Sequence, residues 1–425
     1  MLPFDKVFSR VGSVLILGFG REGRSSYAFL KKYYPQLAIG VADSNEALDA
    51  KGVEAAIHLG SGYLQALANY DLILKSPGVR LESIDPRLEK RISSQTDIFL
   101  EAYGRQTIGV SGTKGKSTTV SLIYHLLQKS GRKAVLLGNI GKPAFDFIDR
   151  IDGDVQVVYE LSAHQLERVR HSPHRGVLLN IFPEHLDYFS SYAHYRQAKL
   201  NLFCYQKSGD YAFCGEGLPD VDFPCITASG LEEKFSTKML LQKAGLRGSH
   251  NLKNILLSFK VLESMGTPLQ ALPEMLEGFR SLPHRLEFVG TFGGVAFYND
   301  SISTVPQSAI VAIKSIPETD TLILGGYDRG LDYQGLAEAL AASAVKNFFF
   351  LGKAGERMLP LFQKAGKDKK LLPATDLCDV FEQLKKLPDV RCCLLSPAAA
   401  SYDQFHNFEH RGDLFKSLAR EFGGK

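Results

Sequence analysis

The stretch Gly109-Val110-Ser111-Gly112-Thr113-Lys114-Gly115-Lys116-Ser117-Thr118-Thr119 decides how the rest of the chain is read. An apolar run, Thr107–Val110, leads into it, and a helix-length amphipathic pattern follows. A small-residue loop between a strand and a helix points successive backbone N–H groups and a helix N-terminus at one spot, where anionic oxygens are stabilised. There Lys116 adds a positive charge, and Ser117 can reach a metal ion held by the phosphates. The spacing is the short G-x-x-G-K-S form, since the longer G-x-x-x-x-G-K-[ST] form would need glycine where Val110 stands. The stretch predicts a nucleoside triphosphate site.

Working outward, 425 residues suit about three domains of ~150 residues, each with its own core. Hydrophobic residues at 44% and charged residues at 23% are ordinary for a folded soluble chain. The formal net charge is +4 with the charges dispersed, so no basic stripe argues for nucleic acid or a membrane surface. The start, Met1-Leu2-Pro3-Phe4-Asp5-Lys6, lacks the apolar centre of a secretory leader, and no run approaches ~20 apolar residues. A cytoplasmic protein is expected. The six cysteines, at 204, 214, 225, 378, 392 and 393, form no C-x-x-C pair; reduced packing residues are expected.

Short apolar runs at Val14–Leu17, Leu37–Val41, Leu72–Leu74, Thr107–Val110, Ala134–Leu137, Val155–Tyr159 and Val177–Leu179 alternate with helix-length amphipathic stretches. That alternation predicts an α/β fold built on parallel sheets. Residues 208–250 are irregular, 250–280 read as helical, and the alternation resumes at Thr321–Leu324, Asn347–Leu351 and Arg391–Leu395. Boundaries near 104 and 281 divide the chain into domains 1–103, 104–280 and 281–425.

The first domain opens with Gly18-Phe19-Gly20-Arg21-Glu22-Gly23 directly after a strand, and Asp43 closes the next one. That is the dinucleotide fingerprint, and it leaves an NAD-dependent oxidoreductase open. Two phosphate cradles in one chain count against that reading. In the central domain, Asn139, Glu160, Asn180 and Glu184-His185 stand just after strands, where open α/β sheets bind ligands. A carboxylate such as Glu160 beside a phosphate loop is a natural Mg²⁺ ligand. Tyr195-Arg196-Gln197-Ala198-Lys199-Leu200 reads as a helix presenting one lysine, with a solvated side chain as the default. In the third domain Arg285 and Asp300 could hold phosphate and ribose or form a structural ion pair. Arg329, after Gly325-Gly326, suits an anionic group.

Taken in order, these segments resemble the Mur ligases of bacterial cell-wall synthesis. Gly112–Thr118, Gly138–Gly141, Glu160–Glu167, Tyr195–Leu200, His250-Asn251, Leu282–Glu287, Asn299-Asp300-Ser301 and Leu394–Gly412 carry the resemblance. It implies three domains: a Rossmann-like N-terminal domain that binds a UDP substrate, a central P-loop ATPase-type parallel sheet, and a C-terminal Rossmann-like α/β domain. It also implies an ATP- and Mg²⁺-dependent ligase that adds glutamate to UDP-N-acetylmuramoyl-L-alanine through an acyl phosphate, acting as a cytoplasmic monomer.

The resemblance implies that Arg21, Glu22, Asp43, Ser44, Ser76, Pro77, Gly78 and Asn139 meet the UDP substrate. It places ATP on Gly112, Thr113, Lys114, Gly115, Lys116, Ser117, Thr118, Asn251, Asn254, Arg285 and Asp300. Ser117, Glu160, His185 and a carbamylated Lys199 would surround Mg²⁺, with His185 or its carboxylate neighbourhood as the base that frees the amine. Thr304, Arg329, Ser401 and Phe408 fall where the family binds the amino acid. The family's D-glutamate site commonly carries lysine in an Asn-Asp-Ser-Lys-x-Thr segment, whereas this chain reads Asn299-Asp300-Ser301-Ile302-Ser303-Thr304. L-glutamate on the same nucleotide is therefore a second expectation beside D-glutamate.

Overall fold

Sixteen strands form three sheets among the residues described by the computed structural model, namely 2–81, 84–139, 142–186, 188–216, 218, 224–246, 248–280, 283–365 and 368–423. Ile140, Gly141 and Leu282, which belong to the motif blocks above, lie outside the described residues. The chain makes two compact units, Met1–Phe279 and Arg280–Lys425.

The first unit holds two all-parallel sheets. One has the order β3–β2–β1–β4–β5, from β1 (Ser13–Leu17), β2 (Ala38–Asp43), β3 (Ala56–Leu59), β4 (Leu72–Lys75) and β5 (Ile92–Ser93). The other has the order β10–β9–β6–β8–β7, from β6 (Thr107–Ser111), β7 (Ala134–Gly138), β8 (Gln156–Glu160), β9 (Arg175–Leu178) and β10 (Tyr211–Cys214). Every residue of β6 is buried, as a central strand covered on both faces must be. Its apolar run is continuous for that reason. Because β6 pairs with β8 on one side and β9 on the other, the loop after it opens where the strand order reverses, the crevice where such sheets take ligands.

The two sheets meet through polar side chains as well as apolar ones. Gln95 accepts from the Ala144 amide at 2.9 Å and donates to Ser26 Oγ at 3.0 Å, while Thr96 Oγ1 and Tyr159 Oη lie 3.0 Å apart. Lys75, at the end of β4, ion-pairs with Glu167 at 3.3 Å, with both groups largely buried. Buried polar groups are tolerated where each has a partner.

The second unit carries the sheet β11–β12–β16–β13–β14–β15, made by β11 (Glu287–Phe292), β12 (Val295–Asn299), β13 (Thr321–Gly325), β14 (Asn347–Leu351), β15 (Lys370–Ala374) and β16 (Cys392–Leu395). All pairs are parallel except β11 with β12. That antiparallel edge adds one hairpin to the otherwise parallel sheets the sequence predicts. Gly293 and Gly294, at φ 57° and 81°, supply the left-handed backbone a tight hairpin turn requires, and a two-residue turn cannot accommodate a crossover helix.

Two expectations are corrected. The stretch after 208, read as irregular, contains β10, whose apolar run Tyr211–Cys214 stands between glycine- and proline-rich segments. The cysteines are not all reduced: Cys214 and Cys225 form a disulfide with their Cα atoms 5.6 Å apart. Spacing in sequence gave no hint, because an isolated bridge between Phe213 and Ile226 brings the two segments together. The remaining four lie outside the disulfide, with Cys392 and Cys393 buried and Cys204 and Cys378 exposed.

Candidate active site

The phosphate loop leaves β6 at Ser111 and enters the helix Lys116–Lys129 through Gly115. Gly115 adopts φ 88°, and a Cβ there would lie 3.1 Å from the Asn254 amide, so both conformation and space call for glycine. The loop is tied to the segment after β9. The Thr113 amide donates to the Asn180 carbonyl at 3.0 Å, and the Lys114 amide donates to Asn180 Oδ1 at 2.9 Å. Thr113 Oγ1 accepts from the Phe182 amide and lies 3.0 Å from Tyr195 Oη.

Two lysines converge beneath this loop. Lys116 Nζ donates to the carbonyls of Gly112 at 2.8 Å and Thr113 at 3.0 Å. Lys199 Nζ, from the helix Tyr192–Cys204, donates to the same Gly112 carbonyl at 2.9 Å. Lys199 is 1% exposed, which corrects the default of a solvated lysine. Burial, reinforced by the charge of Lys116, pulls its amine down to about 6. An amine drawn down that far favours its uncharged form near pH 7.

Glu160 ends β8 and sits in register with Val110, so its carboxylate stands at the mouth of the loop. It is 2% exposed; Oε1 accepts from Asn139 Nδ2 at 3.0 Å, and Oε2 is sealed from solvent with no hydrogen-bond partner. An orphaned anionic oxygen beside a phosphate loop suits a hard divalent cation. Among the described residues no three His, Cys, Asp or Glu side chains gather into a metal cage, so the donor set has to be mixed. Ser117, buried at the first turn of the helix, and His185, held at φ 56°, complete the set available from this unit with Glu160 and Lys199. His185 also faces His164, ring centroids 5.0 Å apart. Burial foremost, then the charge of His185, pushes His164 down to about 4. Glu184 pairs with Lys114 at 2.5 Å.

Asn251 and Asn254 lie on the first turns of the helix Ser249–Glu263, buried and 3.3 Å apart, with Asn254 against Gly115. They are thus at the loop, together with Gly112, Thr113, Lys114, Lys116 and Thr118.

On the first sheet the glycine loop after β1 is gripped from two sides. Asp43 Oδ2 accepts from the Phe19 amide at 2.7 Å and Oδ1 from the Asn45 amide at 2.9 Å, while Ser76 Oγ donates to the Gly18 carbonyl at 2.7 Å. The acid and the hydroxyl thereby shape the loop. Arg21, Ser44 and Gly78 are exposed around it, with Pro77 half-buried. Glu22 accepts from Gln165 Nε2 at 3.4 Å, leaves Oε1 sealed and unpartnered, and burial above all raises its carboxyl to about 7.

In the second unit Arg285 lies in a turn in which His284 and Leu286 take φ 66° and 45°. Its Nε is sealed from solvent without a hydrogen-bond partner. Asp300 follows β12 and is 3% exposed; it accepts from the Leu286 amide at 3.2 Å and from Ser396 Oγ at 2.8 Å. Burial raises its carboxyl to about 6, against the opposing pull of Arg285 and of neighbouring hydroxyls. Ser401 is buried, Thr304 and Phe408 are half-buried, and Arg329 is exposed. These residues gather at the ends of β12, β13 and β16, where the Ala398 amide donates to the Ser303 carbonyl and the Tyr327 amide to the Ala400 carbonyl.

Sequence reasoning gave no role to Asn180 as the loop's anchor, to His164, or to Arg411. Arg411 is 2% exposed and hydrogen-bonds Ser301 Oγ and the carbonyls of Ser301, Ala399 and Ala400 at 2.9–3.1 Å. Nothing local in Glu409-His410-Arg411-Gly412 signals an interior guanidinium.

Comparison with known proteins agrees with this geometry. Residues 110–219 match the Mur ligase middle domain. The chain is 30% identical over 453 residues to the UDP-N-acetylmuramoylalanine–D-glutamate ligase of Clostridium kluyveri, covering 98% of both chains. It is 32% identical over 391 residues to the ligase of the same name from Symbiobacterium thermophilum, covering 84% of this chain and 86% of that one. The fold is shared with MurF from Acinetobacter baumannii, with a TM-score of 0.57 at 15% identity over 96% of this chain and 90% of that one. It is also shared with the MurF ligase from Thermotoga maritima in complex with ADP, with a TM-score of 0.54 at 16% identity over 96% and 95%. With the middle-domain match and this kinship along nearly its whole length, the chain belongs to the Mur ligases, ATP-dependent ligases that join an amino acid to an acid.

Proposed function

We propose that this chain adds D-glutamate to UDP-N-acetylmuramoyl-L-alanine in peptidoglycan precursor synthesis. The observation that carries this reading is the convergence of Lys116 and Lys199 on the Gly112 carbonyl beside the orphaned Glu160 Oε2. The names of the relatives favour D-glutamate over the L isomer despite Ile302, and family membership sets aside the oxidoreductase reading.

In this reading residues 1–103 bind the nucleotide substrate, 104–280 bind ATP, and 281–425 bind the amino acid. The muramoyl-alanine carboxylate oxygen attacks the γ-phosphorus of ATP, the bond to ADP breaks, and an acyl phosphate forms. Lys116 and the loop amides offset the charge on the transferred oxygens. Glutamate's neutral amine then attacks the acyl carbonyl and phosphate leaves. His185 or a neighbouring carboxylate takes the amine's proton. Glu160, Ser117 and His185 would hold Mg²⁺, which when bound lends charge stabilisation to the phosphoryl oxygens. Lys199, neutral in its buried site, would add CO₂ with loss of one proton to give an anionic carbamate.

The test is to incubate the chain with ATP, Mg²⁺ and UDP-N-acetylmuramoyl-L-alanine, offer D- and L-glutamate separately, and measure phosphate release. Turnover with D-glutamate is expected. Turnover with neither isomer would overturn the reading.

A further inference from the structure

Position 302 carries isoleucine, so the segment after β12 brings no cation of its own. Four arginines stand near the ends of β12, β13 and β16; Arg285 lies against Asp300 with its Nε sealed from solvent, and two others are engaged. Arg411 directs its donors to protein acceptors in the interior. Arg357 ion-pairs with Asp328 at 2.5 Å, which also removes the carboxylate adjacent in sequence to Arg329. Arg329 is exposed and pairs with no carboxylate among the described residues. Its guanidinium carbon lies 5.6 Å from the ring centroid of Tyr402, within the range of a cation–π contact.

Tyr402 is 62% exposed. It follows buried Ser401, and the hydrogen bond from the Tyr327 amide to the Ala400 carbonyl, 2.8 Å, ties its loop to the strand end that carries Arg329. An arginine on a flexible stem presents its planar fork to a carboxylate only when something limits its rotation, and an aromatic face does so without neutralising the charge.

We propose that Tyr402 is a positioning residue for amino-acid selection. It holds the Arg329 guanidinium so that the fork meets the side-chain carboxylate of the incoming amino acid, in place of the cation missing at 302. The inference deepens the proposed function and rests on it.

The test compares wild type, Tyr402→Leu and Tyr402→Phe in the phosphate-release assay, with glutamate titrated and glutamine as its uncharged isostere. Tyr402→Leu should raise the KM for glutamate roughly three- to tenfold, leave kcat unchanged, and lower the preference for glutamate over glutamine by a similar factor. Tyr402→Phe keeps the aromatic face and should restore both values. The site is exposed, and matching thermal melts will show that the variants fold. A Tyr402→Leu enzyme with wild-type KM and selectivity, or a Phe variant as impaired as Leu, overturns the inference while the proposed function stands. A wild-type chain that releases no phosphate with either glutamate isomer ends both.

Discussion

Lys116 and Lys199 share a single acceptor, the Gly112 carbonyl, at 2.8 and 2.9 Å. Burial, and after it the charge of Lys116, pulls the Lys199 amine down. In the proposed function the two lysines divide the work: Lys116 would meet the phosphate, and Lys199 would take up CO₂ at nitrogen. Lys116→Ala should therefore lower kcat by about 10²-fold or more, with the melting temperature little changed. Lys199→Ala should lose comparable activity, and added formate or acetate should partly return it. Phosphate release measured with and without the short acid distinguishes the roles, and a Lys199→Ala enzyme of normal rate would remove the carbamate from the mechanism.

Glu160 offers the complementary charge. Its Oε2 is buried without a hydrogen-bond donor, a costly state for an anionic oxygen unless a cation completes it. Glu160→Gln keeps shape and can keep the contact with Asn139, but withdraws the anion. Its Mg²⁺ requirement should rise about tenfold or more while the fold persists. Mg²⁺ titrations of phosphate release decide this, and an unchanged midpoint would exclude Glu160 from the metal site.

Asp300 gives the second unit a pH signature. Its folded carboxyl is raised to about 6 from an ordinary value of 3.8, so between those limits the folded state holds the proton more tightly than the unfolded chain. Its contribution to stability is fully present below about pH 4 and is lost as pH rises through about 6. Asp300→Asn should abolish that component, so the difference in melting temperature between wild type and variant should shift against wild type across this window. A constant difference from pH 4 to 7 would contradict the buried-carboxyl account.

The phosphate loop was legible in the sequence because its conformation is local: Gly112, Gly115, Lys116 and Ser117 need only a strand before them and a helix after. The parallel sheets were legible for a related reason, since strands such as β6 that are covered on both faces read as unbroken apolar runs. Lys199 was not. Its burial comes from where the helix Tyr192–Cys204 packs under a loop some ninety residues earlier, and that helix buries Tyr195, Ala198, Lys199, Leu200, Leu202 and Phe203 around much of its circumference, without a clean apolar stripe. The hairpin of β11 and β12 escaped because its signal, Gly293-Gly294, was overlooked beside the stronger apolar runs. The ligand positions on the second unit came from family resemblance, and residue chemistry alone left Arg285 and Asp300 as either ligands or an ion pair.

The disulfide between Cys214 and Cys225 should be visible in thiol counts. Unfolded without reductant, the chain should titrate four thiols, from Cys204, Cys378, Cys392 and Cys393, and reduction should add two more. In the folded state Cys204 and Cys378 should react first, because Cys393 is buried and its thiol is pushed up by that burial. Closing a loop of 11 residues in sequence separation contributes about 2–3 kcal/mol in the chain-entropy account, so reductant should lower the melting temperature by a few degrees. Six thiols in the unreduced, denatured chain would show that the bond does not form.

Arg411 supports the ends of β12 and β16 from within the second unit. Its donors engage Ser301 Oγ and three carbonyls drawn from the ends of β12 and β16, and Ser301 Oγ in turn donates to the Phe408 carbonyl at 2.8 Å. Arg411→Met would leave the Ser301 and Ala399 carbonyls without the guanidinium while preserving most of the apolar stem's volume, and the Ala400 carbonyl keeps the Tyr327 amide. Each unpaired buried group costs about 1–3 kcal/mol, so the variant should lose about 2–6 kcal/mol in all. Arg411→Lys supplies one ammonium where a planar fork is needed, so it should recover charge and little stability. Denaturant unfolding of the two variants separates geometry from charge. If lysine restores wild-type stability, Arg411 acts as a point charge and the clamp across the two strand ends is not what holds Ser301 and Ser401 in place.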